Sequence, residues 1–275
     1  MRVAYLGPPG TFSEEALALC DLAAGAERRD LPTIAEAFEA ALRGECDAAL
    51  LPIENSLEGT VSATLDLLVH RPGLRIRREV FLPVRQNLLV RPGTALEEVR
   101  RVVSVPIALA QCQVFLRARL PGAAHEHAPS TADAARRAAS EPGAAAVASR
   151  AAAERYGLEV LREGIQDGDA NVTRFVLVMR EDERPTGRDR TSIAFTLDRD
   201  RPGGLHEVLG EFARRGINLS KIESRPNKRA MGHYIFFLDF EGHRQDAPGA
   251  QALAGVLERV HGLHLLGSYP RGEPP

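Results

Sequence analysis

Four short stretches carry more hydrogen-bonding groups than their surroundings need: "GPPGTFS" (7–13), "PIENSLEGTVS" (52–62), "APSTADAA" (128–135) and "NVTRF" (171–175). The first three lie at or near strand-to-helix turns, where hydroxyls meet the unpaired backbone N–H groups of a helix start. Such ends favour anions. The fourth opens an apolar strand, Val172 with Phe175 to Val178, with the polar Asn171, Thr173 and Arg174 at its mouth. Arg174 is the only cation in the four stretches, and a guanidinium fork can take a carboxylate bidentately. The chemistry open to this set is recognition of a small organic anion. Each stretch also has a plainer reading. Thr11 or Ser13 caps a helix, and "STAD" from Ser130 is an N-cap signature. Asn55 and Ser56 are turn residues. Thr173 fills a strand, and Arg174 is a surface partner. "GPPG" is a turn and not a phosphate loop, since no Walker lysine follows.

The elements that must position these groups alternate as strand and helix through residues 1–180, which predicts parallel sheets flanked by helices. Two such units imply two lobes with a cleft between them. In open α/β sheets ligands bind outside the carboxyl ends of the strands, so the first three stretches are expected at one cleft. Residues 181–190, charged and carrying Pro185 and Gly187, read as a linker. Residues 191–270 read βαββαβ, a ferredoxin-like unit. The tail "RGEPP" is expected to be disordered.

The 275 residues carry a formal net charge of −2, which gives no bulk electrostatic case for nucleic acid or a membrane surface. No long apolar run suggests a signal peptide or membrane span. Cys20, Cys46 and Cys112 lack metal spacing and suit reduced thiols in a cytoplasm. His125 and His127 have no further ligand near them in sequence, so no metal is expected.

In this order, "GPPGTFSEEA", "LLPIENSLEGTV", "STADAA", "AAVASRAAAERYGL" and "NVTRF" resemble the prephenate dehydratase family, and the tail unit resembles an ACT domain. The resemblance implies an α/β fold with a two-lobed catalytic region like type II periplasmic binding proteins, plus the ferredoxin-like ACT domain. It implies a hydro-lyase that makes phenylpyruvate from prephenate, losing water and carbon dioxide, in phenylalanine biosynthesis. No cofactor is implied, because aromatisation drives the reaction. By the same resemblance Thr173 is tied to catalysis, Arg174 pairs with a carboxylate and Phe175 walls the cleft. Asn55, Ser56 and Thr60 supply donors from the opposite wall. Thr11, Ser130 and Thr131 offer hydroxyls and helix-end N–H groups. Gln111 is retained in "SVPIALAQC" (104–112), where Val105 and Ile107 replace a polar pair usual in the family; Gln86 stands where a histidine is frequent.

The ACT resemblance implies L-phenylalanine as allosteric effector and a homo-dimer or homo-tetramer. Its first motif reads "PGGL" here, with Gly203, Gly204 and Leu205, Gly204 standing in place of a family alanine, and its second, "ESRP", is intact as Glu223, Ser224, Arg225 and Pro226. Asn218 lies where an amino-acid ligand meets a side-chain amide. The plainer reading of Gly203 and Gly204 is a tight turn into a helix. Two other functions stay open: an arogenate dehydratase, with Glu54 or Glu58 reading an amino group, and a non-catalytic protein that binds a small carboxylate.

Overall fold

The computed structural model describes residues 1–168, 170–197, 202–227 and 234–274. The chain first lays down β1 (Arg2–Leu6), α1 (Phe12–Leu19), β2 (Glu27–Leu31), α2 (Ile34–Leu42), β3 (Ala48–Asn55), β4 (Gly59–Thr60), α3 (Ser62–His70) and β5 (Arg75–Pro83). It then crosses to a second lobe: β6 (Asn87–Val90), β7 (Arg101–Ser104), α4 (Pro106–Ala110), α5 (Gln113–Arg119), β8 (Ala124–His127), α6 (Thr131–Ser140), β9 (Ala144–Ala148), α7 (Arg150–Tyr156) and β10 (Glu159–Arg162). It returns to the first lobe as β11 (Val172–Met179).

Local chemistry explains these elements. The Thr33 hydroxyl accepts the Glu36 N–H at 3.1 Å and starts α2, whose Ala37, Phe38, Ala40 and Ala41 are buried. In the second lobe the all-buried "AAAVA" of β9 packs with the alanine face of α6 in one core, since small side chains let helix and sheet close on each other.

The sheets are mixed, where alternation alone predicted parallel ones. The first-lobe order is β2-β1-β3-β11-β5 with β4 beside β3. β1 runs parallel to β2 and β3, but β11 runs antiparallel to both β3 and β5. In the second lobe, order β10-β6-β9-β7-β8, β7 is parallel to its neighbours and β6 antiparallel to β9. The two crossings between lobes cause this. The returning strand enters at the carboxyl ends of β3 and β5, so Thr173 faces Asn55 and Val172 faces Pro83 in register.

The last unit is β12 (Asp189–Thr196), α8 (Gly204–Ala213), β13 (Leu219–Pro226), β14 (Tyr234–Glu241), α9 (Ala247–Leu257) and β15 (Gly262–Pro270). Its antiparallel sheet, order β13-β14-β12-β15, buries Ile193, Phe195, Leu238 and Phe240 against both helices. Ala194, Phe237, Leu266 and Tyr269 join the first-lobe core with Ile76 and Val176. The segment 181–190 is fastened down: Glu183 pairs with Arg77 at 2.9 Å and Asp182 with Arg244. Residues 271–274 of the tail are docked where disorder was expected. Gly272 N–H reaches Glu79 Oε1 at 2.8 Å, and Arg188 pairs with Glu273 at 2.8 Å.

β15 lies against β5 so closely that a Cβ on Gly267 (φ +155°) would sit 2.4 Å from Ile76 O. Neither backbone can yield without moving the sheet. Gly267→Ala is expected to cost about 1–3 kcal/mol, the range for overpacked sites, read by urea denaturation. An unchanged midpoint would show that the two sheets separate without penalty.

Candidate active site

Asn55 ends β3 and Thr173 starts β11, and their side chains meet. The Asn55 Oδ1 accepts the backbone N–H groups of Leu57 (2.9 Å) and Glu58 (3.0 Å). This fixes the amide's orientation, so Nδ2 points the other way. It donates to Asn171 Oδ1 at 2.7 Å and to Thr173 Oγ1 at 2.9 Å. Asn171, 3% exposed, passes the pattern on. Its Nδ2 donates to Gln111 Oε1 at 3.1 Å, and Gln111 Nε2 donates to Glu58 Oε1 at 3.3 Å. Gln111 caps α4 in the second lobe, so the chain of amides spans both lobes. Thr173 Oγ1 accepts from Asn55, which leaves its own O–H to donate elsewhere. Ser56 clasps the start of β11: its hydroxyl donates to Ala170 O and accepts Val172 N–H at 2.9 Å.

Arg174 occupies a different place from the one expected. Alternation along a strand turns it to the opposite face from Thr173. It is 5% exposed, with Nε on Glu79 (2.7 Å), Nη1 on Asp239 (2.8 Å) and Nη2 on the Tyr269 hydroxyl (2.8 Å). It joins the first lobe to the C-terminal sheet and does not face the cleft. Thr60 is likewise corrected: its hydroxyl meets Glu223, and Lys221 Nζ stands 3.3 Å away. Glu54 turns the same way, 3.1 Å from Lys221. Phe175 is buried in a core with Tyr5, Leu17 and Leu50 and walls no opening.

Two of the three helix ends expected to take anions, those of α1 and α6, already carry acidic partners. Glu14 accepts Gly10 N–H at 2.6 Å beside α1, and the Thr11 hydroxyl donates to Leu6 O at 3.2 Å. Ser130 caps α6 by accepting Asp133 N–H at 2.9 Å, with Thr131 buried in the first turn. The "GPPG" turn instead closes the lobes on each other: Ser149 Oγ donates to Gly10 O at 3.0 Å and Tyr156 OH to Pro9 O at 3.1 Å. Of the three family departures in the catalytic region, Val105 is half-buried before α4, Ile107 is exposed, and Gln86 is buried, its backbone N–H donating to Gln166 Oε1 at 3.0 Å.

In the C-terminal unit Gly203 takes φ +84° at the N-cap of α8, a conformation that requires glycine, with Gly204 buried and Leu205 half-buried. Asn218 is exposed and donates to Glu241 Oε1 at 3.1 Å. The "ESRP" motif divides by strand parity. Ser224 and Pro226 are exposed, whereas Glu223 meets Thr60 and Arg225 reaches Ser62 O at 3.0 Å and Asp66 at 3.2 Å. Glu223 and Arg225 therefore stand against the first lobe, where an effector role had been expected.

A family model for prephenate dehydratase matches residues 3–183 and one for the ACT domain matches residues 191–258. The chain belongs to the prephenate dehydratase family. A prephenate dehydratase of Mycolicibacterium vanbaalenii is 42% identical over 287 residues, covering 98% of this chain and 91% of that protein. The crystal structure of prephenate dehydratase from Arthrobacter aurescens in complex with L-Phe has TM-score 0.91 at 40% identity, covering 100% of this chain and 92% of that one. A structure described as GqqA, a novel type of quorum quenching acylase, has TM-score 0.89 at 32% identity, covering 99% and 98%. Asn171 is the member of the amide chain that motif reading gave no role, and Glu58 had been named only as a partner for an amino group. The polar mouth of the "NVTRF" strand was the signal for Asn171.

Behind the cleft, burial pushes the Asp239 carboxyl up, but the charge of Arg174 and hydrogen bonds from Ser192 and Arg174 outweigh it and hold it below its ordinary value. A carboxyl depressed in the folded state gives stability above its unfolded pKa, about 3.9. That stability is lost as pH falls through the folded value. Asp239→Asn is expected to cost about 3 kcal/mol at pH 7, as for one partner removed from a buried pair. The difference from wild type should shrink below about pH 4. Urea denaturation at pH 7 and pH 3 measures both, and a pH-independent difference would remove the ionic account.

Proposed function

We propose that the cleft converts prephenate to phenylpyruvate, with Thr173 as the catalytic donor. The observation that carries this is the orientation of the Thr173 hydroxyl by Asn55. The C–C bond to the ring carboxylate breaks and carbon dioxide leaves. Its electron pair passes into the ring, the C–O bond to the ring hydroxyl breaks, and the oxygen leaves as hydroxide, which takes a proton from solvent to become water. Thr173 donates a hydrogen bond to that oxygen as charge builds on it. A threonine hydroxyl is too weak an acid to ionise, so its contribution is a preoriented donor in a site that costs no reorganisation at the moment of reaction. Asn55, Asn171 and Gln111 hold the donor in place, and Gln111 does so only with the lobes together. Ser56, Thr11, Ser130 and Thr131 shape the surrounding backbone. In this reading Arg174 positions β11 from behind.

Arogenate, with an amino group in place of the keto oxygen, would need a carboxylate in the cleft. Glu54 faces the C-terminal sheet, so Glu58 is the remaining candidate for that preference. The acylase relative makes acyl transfer a second reading, which requires an activated nucleophile. Burial pushes the Cys20 thiol up and the Cys112 thiol up to about 12, so neither of these thiols is an activated nucleophile. The decisive experiment is turnover of prephenate and arogenate side by side. Thr173→Ala should lower kcat about 10²–10³-fold with little change in KM, and Thr173→Ser should retain much of the rate. A near-normal kcat in the alanine variant would refute the role.

We further infer that L-phenylalanine is the effector of the C-terminal unit and that the active species is a homo-dimer or homo-tetramer. The L-Phe complex of the Arthrobacter relative supports the ligand. The edge strand β13, with Ile222 exposed, supports contact with a second copy. Calorimetric titration should show saturable L-phenylalanine binding with inhibition. Asn218→Ala should weaken it about fivefold, the value of one hydrogen bond. No heat and no inhibition at millimolar ligand would leave this unit an assembly module.

A further inference from the structure

The stretch "AAVASRAAAERYGL" helps to mark the family but has no part in the chemistry derived above. Two of its side chains, Ser149 and Tyr156, hold the turn between β1 and α1 from the second lobe. We propose that they are positioning residues for the substrate. They set this turn so that the start of α1 offers its open donors to oxygens of prephenate that take no part in bond breaking. The proposal rests on the dehydratase reading of the cleft.

Ser149 caps the start of α7 and Tyr156 closes its last turn, so the helix meets the turn at both ends. Ser149 is fully buried. Its oxygen accepts the Ala152 N–H at 3.1 Å, which directs its own proton to Gly10 O, 3.0 Å away. The Tyr156 hydroxyl donates to Pro9 O at 3.1 Å. The fit is close. A Cβ on Gly10 (φ +91°) would lie 3.2 Å from the Tyr156 ring and 3.4 Å from Ala152 Cα.

A peptide unit is planar, with its C=O and N–H pointing opposite ways. Holding Pro9 O therefore sets the Gly10 N–H, which goes to Glu14 Oε2 at 2.6 Å. Holding Gly10 O sets the N–H of Thr11, whose side chain is already fixed on Leu6 O. The N–H groups of Thr11, Phe12 and Ser13 have no hydrogen-bond partner among the described residues. Ser13 adds a second, separate sign of a ligand. It is 6% exposed, and its hydroxyl has no partner among the described residues, yet the oxygen is not sealed from solvent. Side chains buried to this degree nearly always satisfy their polar atoms. These donors stand past the carboxyl end of β1, where α/β sheets bind ligands. Glu14 leaves them open, since its Oε2 is on Gly10 and its Oε1 lies 3.7 Å from Arg28. Oxygens that keep their bonding through the reaction are held equally in ground and transition state. Loosening the turn therefore weakens both alike.

Steady-state kinetics of the full chain with prephenate test this. Tyr156→Phe removes one oxygen from a half-buried side chain, and Ser149→Ala removes the other hydroxyl. Each should raise KM about fivefold, the value of one hydrogen bond, and leave kcat within about twofold. Ser149→Thr restores the hydroxyl and should return KM to near the wild-type value. Thr173→Ala moves kcat instead, so the two signatures separate positioning from catalysis. A lower kcat and melting temperature at unchanged KM would reduce Ser149 and Tyr156 to holding the lobes together and overturn the proposal. Unchanged kinetics in both variants would overturn it too. A wild type that does not turn over prephenate would end the dehydratase reading, and this proposal with it.

Discussion

A guanidinium can be buried only where acceptors surround it, and the acceptors of Arg174 come from three strands. Glu79 belongs to β5 of the first lobe, Asp239 to β14 and Tyr269 to β15 of the C-terminal sheet. A buried ion pair of this kind need not add net stability, because desolvation offsets much of the attraction. What it does is penalise every arrangement in which one acceptor is missing. The two domains therefore have one register relative to each other. Arg174 adjoins Thr173, so the cluster also fixes where β11 begins, and the cleft inherits its geometry from an interface on the other side of the sheet.

The cleft has its own constraint, a direction. Asn55 is oriented by two backbone N–H groups, so each amide that follows can be satisfied only one way round. Asn171 must accept from Asn55 and donate to Gln111, and Gln111 must end on an acceptor, which Glu58 is. Reversing any member would set donor against donor. Since Gln111 belongs to the second lobe, separating the lobes breaks both of its bonds, to Asn171 and to Glu58, and leaves Asn55 and Thr173 paired. The donor is preformed on the first lobe, and closure adds its support.

Much of this was legible in the chain. Asn55, Gln111 and Thr173 stand together as the motifs implied, and the polar mouth of "NVTRF" marked a place where a strand needs acceptors as well as donors. Arg174 was not legible, because a cation within a motif looks like a ligand contact until the parity of its strand is known. Its partners lie 95 residues before and 65 and 95 residues after it in sequence, beyond any local pattern. Thr60 and Glu223 were hidden in the same way, each waiting on the other across 163 residues. The antiparallel entry of β11 was missed because alternation of strand and helix predicts crossovers within one sheet, and this strand arrives from another lobe.

Strand parity also gives the "ESRP" segment two roles. Ser224 and Pro226 look outward from an edge strand, available to a ligand or to a second copy. Glu223 and Arg225 look inward and are held by Thr60, Ser62 and Asp66 at the start of α3. A side chain on either face is carried by the same backbone, so the strand cannot shift to meet something outside without straining these inner contacts. Thr60 pairs through β4 with Glu54 and lies five residues from Asn55. One route from the outer face of the C-terminal unit to the hydroxyl of Thr173 thus runs through two side-chain contacts, Glu223 to Thr60 and Asn55 to Thr173, joined by the strand pairing of Thr60 with Glu54, all within the first lobe's sheet and the edge strand laid against it.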